Sequence, residues 1–385
     1  MESTNEEHKK IIICKVNNSK EYYSLCEILR DGNWIFRGHA ESKWKLTSSL
    51  HRVLEDKYAF LSEKEKDPKL NESDNFNPAI AKIRKWNIPI NIQDNEFYAL
   101  KMYKKLSHHN YNENEMIKLL CDIQHFEGKT RLLDFSYSIN VALFFAFENL
   151  YSTKERCIWA INYSQMLNNL LLPLILFCRY KIPEEDSYKE EYMKLLSLSP
   201  NNTDSSIEKR KNEILGEWEQ YFKKSKYKDI TNNLFFYVHG KEVKDDILYY
   251  VNQYIEKQEE KIYDDILPIE MPGVNPRIDA QNGLFLFSTR FKPINDALCG
   301  CFNINKNNFT NIEENKEEEI ENDIIFDKNF IKNEDVIRQA SIIKIIFDYK
   351  FSDESRKILQ QSNITSRNIY PDETGLAKSI EYWDD

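Results

Sequence analysis

The residues best suited to chemistry lie in three short stretches that are widely separated along the chain. The first contains Arg37 and His39, with Gly38 between them. The second is residues 124–134, and the third contains Gln281. A guanidinium matches phosphate oxygens through its planar fork of donors, and an imidazole can orient ligand groups or move a proton near neutral pH. An amide orients hydroxyl groups without adding charge, so these stretches could form one polar site if the fold brings them together.

Each of these polar residues also has a structural interpretation. An arginine beside a glycine at a strand end is often held in an ion pair, and this applies to Arg37. Residues 130–134 could have a purely structural role as a turn, in which a carboxylate accepts hydrogen bonds from backbone amides and an arginine forms an ion pair. Three further side chains could be hydrogen-bonded polar groups of the core, namely Gln124, His125 and Gln281. The residue types alone leave both interpretations open.

The pattern of apolar residues predicts helices and strands in alternation around these stretches. A helical pattern stops at the Asp-Gly pair of residues 31–32, and a strand follows at 34–37. Ser136 or Ser138 is placed to cap a helix over 139–150, which is apolar nearly all round and is expected to be deeply buried. The remaining predicted elements are helices at 96–106, 114–125 and 352–361, and strands at 157–161, 283–288 and 341–348.

The length of the chain is sufficient for one large domain, residues 1–385, with insertions. Residues 53–95 mix charge, proline and asparagine, and we interpret them as an irregular insertion. Residues 163–260 are charge-rich and have helical patterning, which predicts a helical insertion with a solvated face. Residues 306–335 contain the acidic run EENKEEEIEND and are expected to form an exposed loop or helix.

Composition argues against several classes of protein. The net charge is −10, whereas proteins that bind nucleic acid non-specifically usually carry a basic excess. The seven cysteines lie mostly in apolar runs, which favours reduced thiols, and Cys299 and Cys301 lack the further ligands of a metal site. The N-terminus lacks the apolar core of a signal peptide, and residues 170–178 are far short of the ~20 residues of a membrane span, so a cytoplasmic location is expected.

Several well-known catalytic and binding motifs are absent from the sequence. It contains no G-x-x-x-x-G-K-[ST], G-x-G-x-x-G, H-E-x-x-H or G-x-S-x-G pattern. The nine glycines leave no room for a glycine-rich phosphate loop. Conventional ATPases, dehydrogenases, zinc proteases and α/β-hydrolases are therefore disfavoured. The many asparagine, isoleucine and lysine residues suggest an AT-rich, bacterial coding genome.

Two segments in the first half of the chain resemble the FRG-domain family, which is named for its Phe-Arg-Gly motif. Residues 36–38 are that motif, and residues 44–52 supply the aromatic residue and the Ser-Leu element with an arginine that follow it in the family. Residues 124–134, QHFEGKTRLLD, are close to the family pattern QHxGxPTRLLDWT, and ALFFA follows at 142–146. The second segment is specific, because seven of its residues match in order.

Two later segments extend the resemblance to most of the chain. Residues 277–285, RIDAQNGLF, are similar to the family's aQxGxF, and residues 368–377, NIYPDETGLA, are similar to its lfPDxxGla ending. The chain departs from the family pattern at Glu127, where glycine is usual, and at Lys129, where proline is usual. The loop around these two positions is therefore expected to be shaped differently here.

The resemblance implies an α+β fold with a central, mostly antiparallel, split sheet like that of ADP-ribosyltransferase-like proteins, with a large helical insertion. In such folds an early arginine or histidine grips NAD, and a late glutamate or glutamine completes the site. Arg37 would then hold the pyrophosphate or a ribose hydroxyl, and Gly38 would let the backbone approach the ligand. Gln281 would stand where a catalytic glutamate often lies, so the site would need another carboxylate, such as Asp134 or Asp279.

The resemblance therefore divides the candidate site residues into two groups. The expected catalytic residues are Gln281, His125 and Asp134. The expected NAD-binding residues are Arg37, Gly38, His39, Gln124, Thr130 and Arg131.

Three functions follow from these expectations. The leading hypothesis is an ADP-ribosyltransferase or NAD glycohydrolase that acts as a bacterial toxin or anti-phage defence effector on a macromolecular target, either protein or nucleic acid. The second is a non-catalytic module that senses a nucleotide or protein signal, with residues 163–260 docking a regulatory protein partner. The third is a metal-dependent enzyme that acts on nucleic acid through Asp134, although no further carboxylates stand at recognisable spacing.

Overall fold

The central feature of the fold is an eight-stranded sheet. The computed structural model describes residues 11–30, 34–56, 92–109, 111, 115–149, 152–166, 266–270, 276–288, 292–315, 324–327 and 334–380. The strands are β1 (Ile11–Val16), β2 (Trp34–His39), β3 (Leu133–Ser136), β4 (Arg156–Asn162), β5 (Ile266–Ile269), β6 (Gly283–Ser288), β7 (Ile324–Asp327) and β8 (Ile342–Phe347).

The sheet is mostly antiparallel and has one parallel edge. Its strand order is β5-β6-β3-β2-β4-β8-β1-β7. Strand β1 pairs in parallel with both β7 and β8, and the other neighbours are antiparallel. The described strands therefore form one continuous sheet rather than the expected split sheet. The junction between β2 and β3 is nevertheless narrow, because the two strands share a single registered pair, Phe36 with Ser136.

Helices cover both faces of this sheet. Alternate residues of β4 enter two separate apolar clusters, with Trp159 on one face and Ile158 and Ala160 on the other. Strands that are buried on both faces are apolar without interruption, as the sequence of β8, IIKIIF, nearly is. The described helices are α1 (Ser19–Ile28), α2 (Ile92–Leu106), α3 (Met116–His125), α4 (Ile139–Phe147), α5 (Pro276–Ala280), α6 (Ile294–Phe302), α7 (Lys306–Glu313), α8 (Glu334–Gln339), α9 (Ser352–Gln361), α10 (Ser366–Ile369) and α11 (Glu373–Ile380).

The sequence predicted a deeply buried helix over residues 139–150, and the structure confirms that this helix, α4, is buried. Its cap is Ser138, whose hydroxyl accepts a hydrogen bond from the Val141 amide at 3.4 Å. The helix lies against β2 at the one residue there without a side chain. A Cβ added to Gly38 would stand 1.9 Å from the Ala142 carbonyl oxygen and 2.7 Å from the Ala146 nitrogen. The backbones of β2 and α4 can therefore approach each other only because residue 38 is glycine.

Several helices and strands have the predicted bounds or nearly the predicted bounds, whereas two strands were not predicted. Strand β6 and helix α9 match the predicted ranges 283–288 and 352–361. The sequence did not predict β5, or β7 within the stretch 306–335, which was expected to be a loop or helix. Glu313, the first residue of the acidic run, is fully buried rather than solvated.

The thiols and the apolar segments agree with the composition of the chain. The six described cysteines form no disulfide, and each is buried or half-buried, while Cys178 lies outside the described residues. No helix among the described residues is long and apolar enough to cross a bilayer. The predicted insertions 53–95 and 163–260 lie almost entirely outside the described residues, so they stay predictions.

Candidate functional site

One cavity collects most of the candidate residues. Its volume is about 1190 Å³, and it is lined by parts of β2, β3, α3, α4, α5 and α11. Both β2 and β3 line it near their narrow junction, where their hydrogen-bonded pairing stops. The candidates that line it are Arg37, Gly38, His39, Gln124, His125, Asp134 and Gln281. Stretches that are 244 positions apart in sequence, at residues 37 and 281, thus meet at one cavity.

The Arg37 guanidinium is fixed on two sides and keeps a donor for a ligand. Its Nε donates to His39 Nε2 at 3.1 Å, and its Nη1 donates to the Asp134 carbonyl oxygen at 2.6 Å. The Asp134 carboxylate lies 3.5 Å from Nη1. Burial lowers the pKa of Arg37, although the neighbouring Asp134 opposes this. The second terminal nitrogen, Nη2, makes no hydrogen bond with the described residues, so it can donate to an anion in the cavity.

His39 is held as a neutral imidazole. Arg37 and His39 are two positions apart on β2, so their side chains lie on the same face of the sheet. Burial lowers the pKa of His39 well below its usual range, and the charge of Arg37 lowers it further. Because Nε2 accepts from Arg37, the ring proton is assigned to Nδ1. That buried Nδ1 atom makes no hydrogen bond within the described part of the chain.

A chain of side-chain hydrogen bonds fixes the Asp134 carboxylate. The Thr130 hydroxyl donates to Gln124 Oε1, and Gln124 Nε2 donates to Asp134 Oδ1 at 2.7 Å. The orientation of the Gln124 amide is therefore set by its two neighbours. The Asp134 side chain is 56% exposed, so its carboxylate also faces the solvent in the cavity. Gln124 acts here as the residue that positions Asp134.

Thr130 and Arg131, which were expected to bind NAD, are not among the residues that line the cavity. Both residues are fully buried. The Arg131 Nε atom lies 2.7 Å from Glu96 Oε2, its Nη1 donates to the Ser288 carbonyl at 2.9 Å, and its guanidinium lies 4.3 Å from the centre of the Phe287 ring. Arg131 is thus part of a buried ion pair, which is the structural interpretation that its sequence also allowed.

Gly38 needs a different explanation from close approach to a ligand. The backbone of Gly38 lines the cavity, but the space of its missing side chain is occupied by the Ala142 carbonyl of α4. Residues alternate between the two faces of a strand, so Arg37 and His39 point away from that helix. The Phe-Arg-Gly motif therefore combines an arginine that lines the cavity with a glycine that packs against a helix.

His125 and Gln281 lie at different parts of the cavity wall. His125 is half-buried at the end of α3, with its ring in edge contact with Phe126 at 4.9 Å between ring centres. Gln281 is half-buried in the turn between α5 and β6, and its Nε2 donates to the Ile369 carbonyl at 3.3 Å. Its backbone carbonyl accepts from the Ser136 hydroxyl at 2.7 Å. Asp279, the alternative carboxylate, is not among the residues that line the cavity.

Sequence reasoning missed several charged residues of the cavity. Arg52 lines it, and its Nη1 donates to the Thr47 carbonyl at 2.5 Å. Burial lowers the pKa of Arg52, while the negative charge of Asp134 raises it. The arginine of the family's Ser-Leu element was the signal that could have placed Arg52 in the site. The cavity is consequently bordered by two guanidinium groups on the side of β2.

Two further cations that line the cavity, Arg277 and Lys378, lie against one aromatic ring, that of Tyr370. The Arg277 guanidinium and the Lys378 ammonium each lie 4.3 Å from the centre of the Tyr370 ring. The Tyr370 hydroxyl donates to Glu148 Oε1 at 2.8 Å, and Lys378 also binds this carboxylate. These residues come from helices α5 and α11 and from the ends of α4 and α10, so no local sequence pattern could have grouped them.

Comparison with known families agrees with the resemblance in the sequence. A family model described as FRG domain matches residues 32–155. No curated protein and no solved structure matched the chain. The matched residues include Arg37 and Asp134 but not Gln281. The chain therefore contains an FRG domain, whose motifs form the side of the cavity nearest β2.

Proposed function

We propose that this FRG domain binds NAD or a related nucleotide and acts as an ADP-ribosyltransferase or NAD glycohydrolase, in a bacterial toxin or anti-phage defence effector. The observation that carries the proposal is the Arg37 guanidinium. It is oriented by His39 and Asp134, it lines a cavity that Gln281 also lines, and its Nη2 makes no hydrogen bond among the described residues. Pre-organised donors of this kind suit a phosphate group, because little ordering is left to occur on binding.

The size and charge of the cavity support a dinucleotide as the ligand. A volume of about 1190 Å³ lies above the upper end of the ~300–1,000 Å³ typical of small-molecule pockets, which suits an extended ligand. Four cations line it, namely Arg37, Arg52, Arg277 and Lys378. Two phosphates and two ribose rings need donors at several points, and these cations supply them.

The residues of the cavity can bind NAD, orient it and stabilise charge. When bound, NAD supplies a glycosidic bond whose cleavage releases nicotinamide and leaves positive charge on the ribose. The Asp134 carboxylate is exposed to the cavity and is the acidic group best placed to face that charge. His39 is neutral and orients the Arg37 guanidinium through Nε2, and the Gln281 amide can orient a ribose hydroxyl if it leaves the Ile369 carbonyl.

The proposal is tested by incubating the purified chain with NAD and measuring released nicotinamide by chromatography. Arg37→Ala should weaken NAD binding by a factor of about 10 to 100, because a hydrogen bond to a charged group contributes ~1.5–3 kcal/mol. Asp134→Asn should lower turnover by a factor on the order of 100 while binding is kept, because the amide preserves shape but not charge. Absence of both NAD binding in calorimetry and nicotinamide release by the natural chain would overturn the proposal.

A second function is a nucleotide-sensing module without catalysis, and one observation favours it. The cavity has Gln281 where the resemblance places a glutamate, and that amide is bound to the Ile369 carbonyl. Thermal melting in the presence of nucleotides separates the two functions. Stabilisation by NAD without nicotinamide release, in both the natural chain and Asp134→Asn, would support the module. The module would then pass its signal to a protein partner through residues 163–260, of which the structure describes only residues 163–166.

The third hypothesis, metal-dependent chemistry on nucleic acid, has less support from the described residues. Among them, no group of three or more histidine, cysteine, aspartate or glutamate residues is placed to hold a metal ion. Asp134 is instead engaged by Gln124 and Arg37.

A further inference from the structure

A basic and aromatic tip, residues 43–45 (Lys-Trp-Lys), projects at the edge of the cavity. All three residues are exposed, and all three line the cavity. The Trp44 side chain is 49% exposed, which is unusual for the largest apolar side chain. The centre of the indole lies 6.1 Å from the centre of the His39 ring, and the two rings are tilted by 59°. The indole therefore has a defined position next to the arginine side of the cavity.

The backbone on both sides of this tip is anchored in the core. Ser42 is buried, its amide donates to the Glu155 carbonyl at 2.8 Å, and its hydroxyl accepts from Asn315 Nδ2 at 2.8 Å. On the other side the Leu46 amide donates to Glu313 Oε1 at 2.7 Å. The buried Glu313 is thus explained by its bond to the tip. An exposed tryptophan on such an anchored support loses little conformational freedom when it binds a ring.

We infer that Trp44 is the residue that stacks on an aromatic base of the cavity's nucleotide ligand, an inference that rests on the proposed function. A base presents a flat π-face, and an exposed indole beside two lysines and Arg37 suits a base that is attached to phosphates. The ring could be the adenine or the nicotinamide of a dinucleotide, and both share this chemistry.

The charges around the cavity favour a free nucleotide over a nucleic acid strand. Glu55, Asp56 and Glu127 are exposed and line the same cavity. A long polyanion would have to pass these carboxylates, and the net charge of the chain, −10, also repels it. A nucleotide with two phosphates is short enough to lie between Arg37 and the tip without contacting all three carboxylates.

The test measures dissociation constants by calorimetry for the natural chain, Trp44→Ala and Trp44→Phe. The probes are NAD, ADP-ribose, nicotinamide mononucleotide and inorganic pyrophosphate. Trp44→Ala should raise the dissociation constant of the ligand that carries the stacked ring by a factor on the order of ten to a hundred. Trp44→Phe should raise it by less. Pyrophosphate, which has no ring, should bind Trp44→Ala and the natural chain equally. ADP-ribose and nicotinamide mononucleotide show which ring is stacked.

A matched control is Tyr349→Ala, which removes another exposed aromatic side chain, 42% exposed, that does not line the cavity. It should leave every dissociation constant unchanged. Unchanged nucleotide binding by Trp44→Ala, while Arg37→Ala weakens it, would overturn this inference and leave the proposed function standing. If Trp44→Ala weakens the binding of pyrophosphate as much as the binding of the nucleotides, the inference is also overturned, because pyrophosphate has no ring to stack. If the natural chain binds none of the nucleotides, both the inference and the proposed function fail.

Discussion

The buried pair of Glu96 and Arg131 allows a direct test of whether the arginine of the TRLLD segment is structural. Its side chains are 4% and 0% exposed, and the Arg131 Nε atom lies 2.7 Å from the Glu96 carboxylate. Glu96→Ala would leave a guanidinium buried without this partner. Removing one member of a buried ion pair costs about 3–5 kcal/mol, which is a large part of the ~5–15 kcal/mol by which a domain is stable.

The double variant Glu96→Leu with Arg131→Met removes both charges and keeps similar volumes. It should lose less stability than Glu96→Ala, although the Ser288 carbonyl, which Arg131 Nη1 now binds, costs about 1–3 kcal/mol when unsatisfied. Urea unfolding followed by circular dichroism measures both variants, and calorimetry with ADP-ribose measures binding. If Glu96→Ala costs less than about 1 kcal/mol and Arg131→Met abolishes binding of ADP-ribose in a stable protein, the structural assignment of Arg131 is wrong.

Two further predictions concern packing and pH. Gly38→Ala places a Cβ 1.9 Å from the Ala142 carbonyl oxygen, so it should lower stability by at least the ~1–3 kcal/mol of overpacking; an unchanged urea midpoint would contradict the close contact of β2 and α4. Burial raises the pKa of Glu313 from 4.5 to about 6, although the hydrogen bond from the Leu46 amide opposes this rise. The protonated Glu313 therefore contributes fully to the stability of the folded state below pH 4.5, and this contribution is lost as the pH rises through 6. Relative to Glu313→Gln, the natural chain should therefore lose about 2 kcal/mol between pH 4.5 and pH 7, and parallel pH profiles of the two proteins would contradict this shift.

The elements that were predicted correctly are those whose secondary structure is determined by the local pattern of their own residues. Strand β6 (GLFLFS) and helix α9 have clear apolar runs or periods, and Ser138 caps α4 with its own hydroxyl. Strand β7 was missed because it is short and follows an acidic run, and it is a strand only by pairing with β1, more than 300 residues earlier. Pairing over such distances leaves no local signal.

The candidate site was predictable in outline from its motifs but not in its details. The motifs identified Arg37 and Asp134, which share the cavity. Arg131 stands in an equally conspicuous motif, yet it is buried because Glu96 approaches it from another helix. Glu313 was expected in solvent, and its burial depends on the amide of Leu46, 267 positions away. Residue types show which groups can bind a ligand, but tertiary packing decides which of them reach the cavity.

A crystal structure of the chain with bound ADP-ribose tests the central claim most directly. We expect a phosphate of the ligand within hydrogen-bonding distance of Arg37 Nη2, with the rest of the ligand extending through the cavity toward Gln281. A ligand that is bound elsewhere on the protein, with Arg37 contacting only His39 and Asp134, would contradict it.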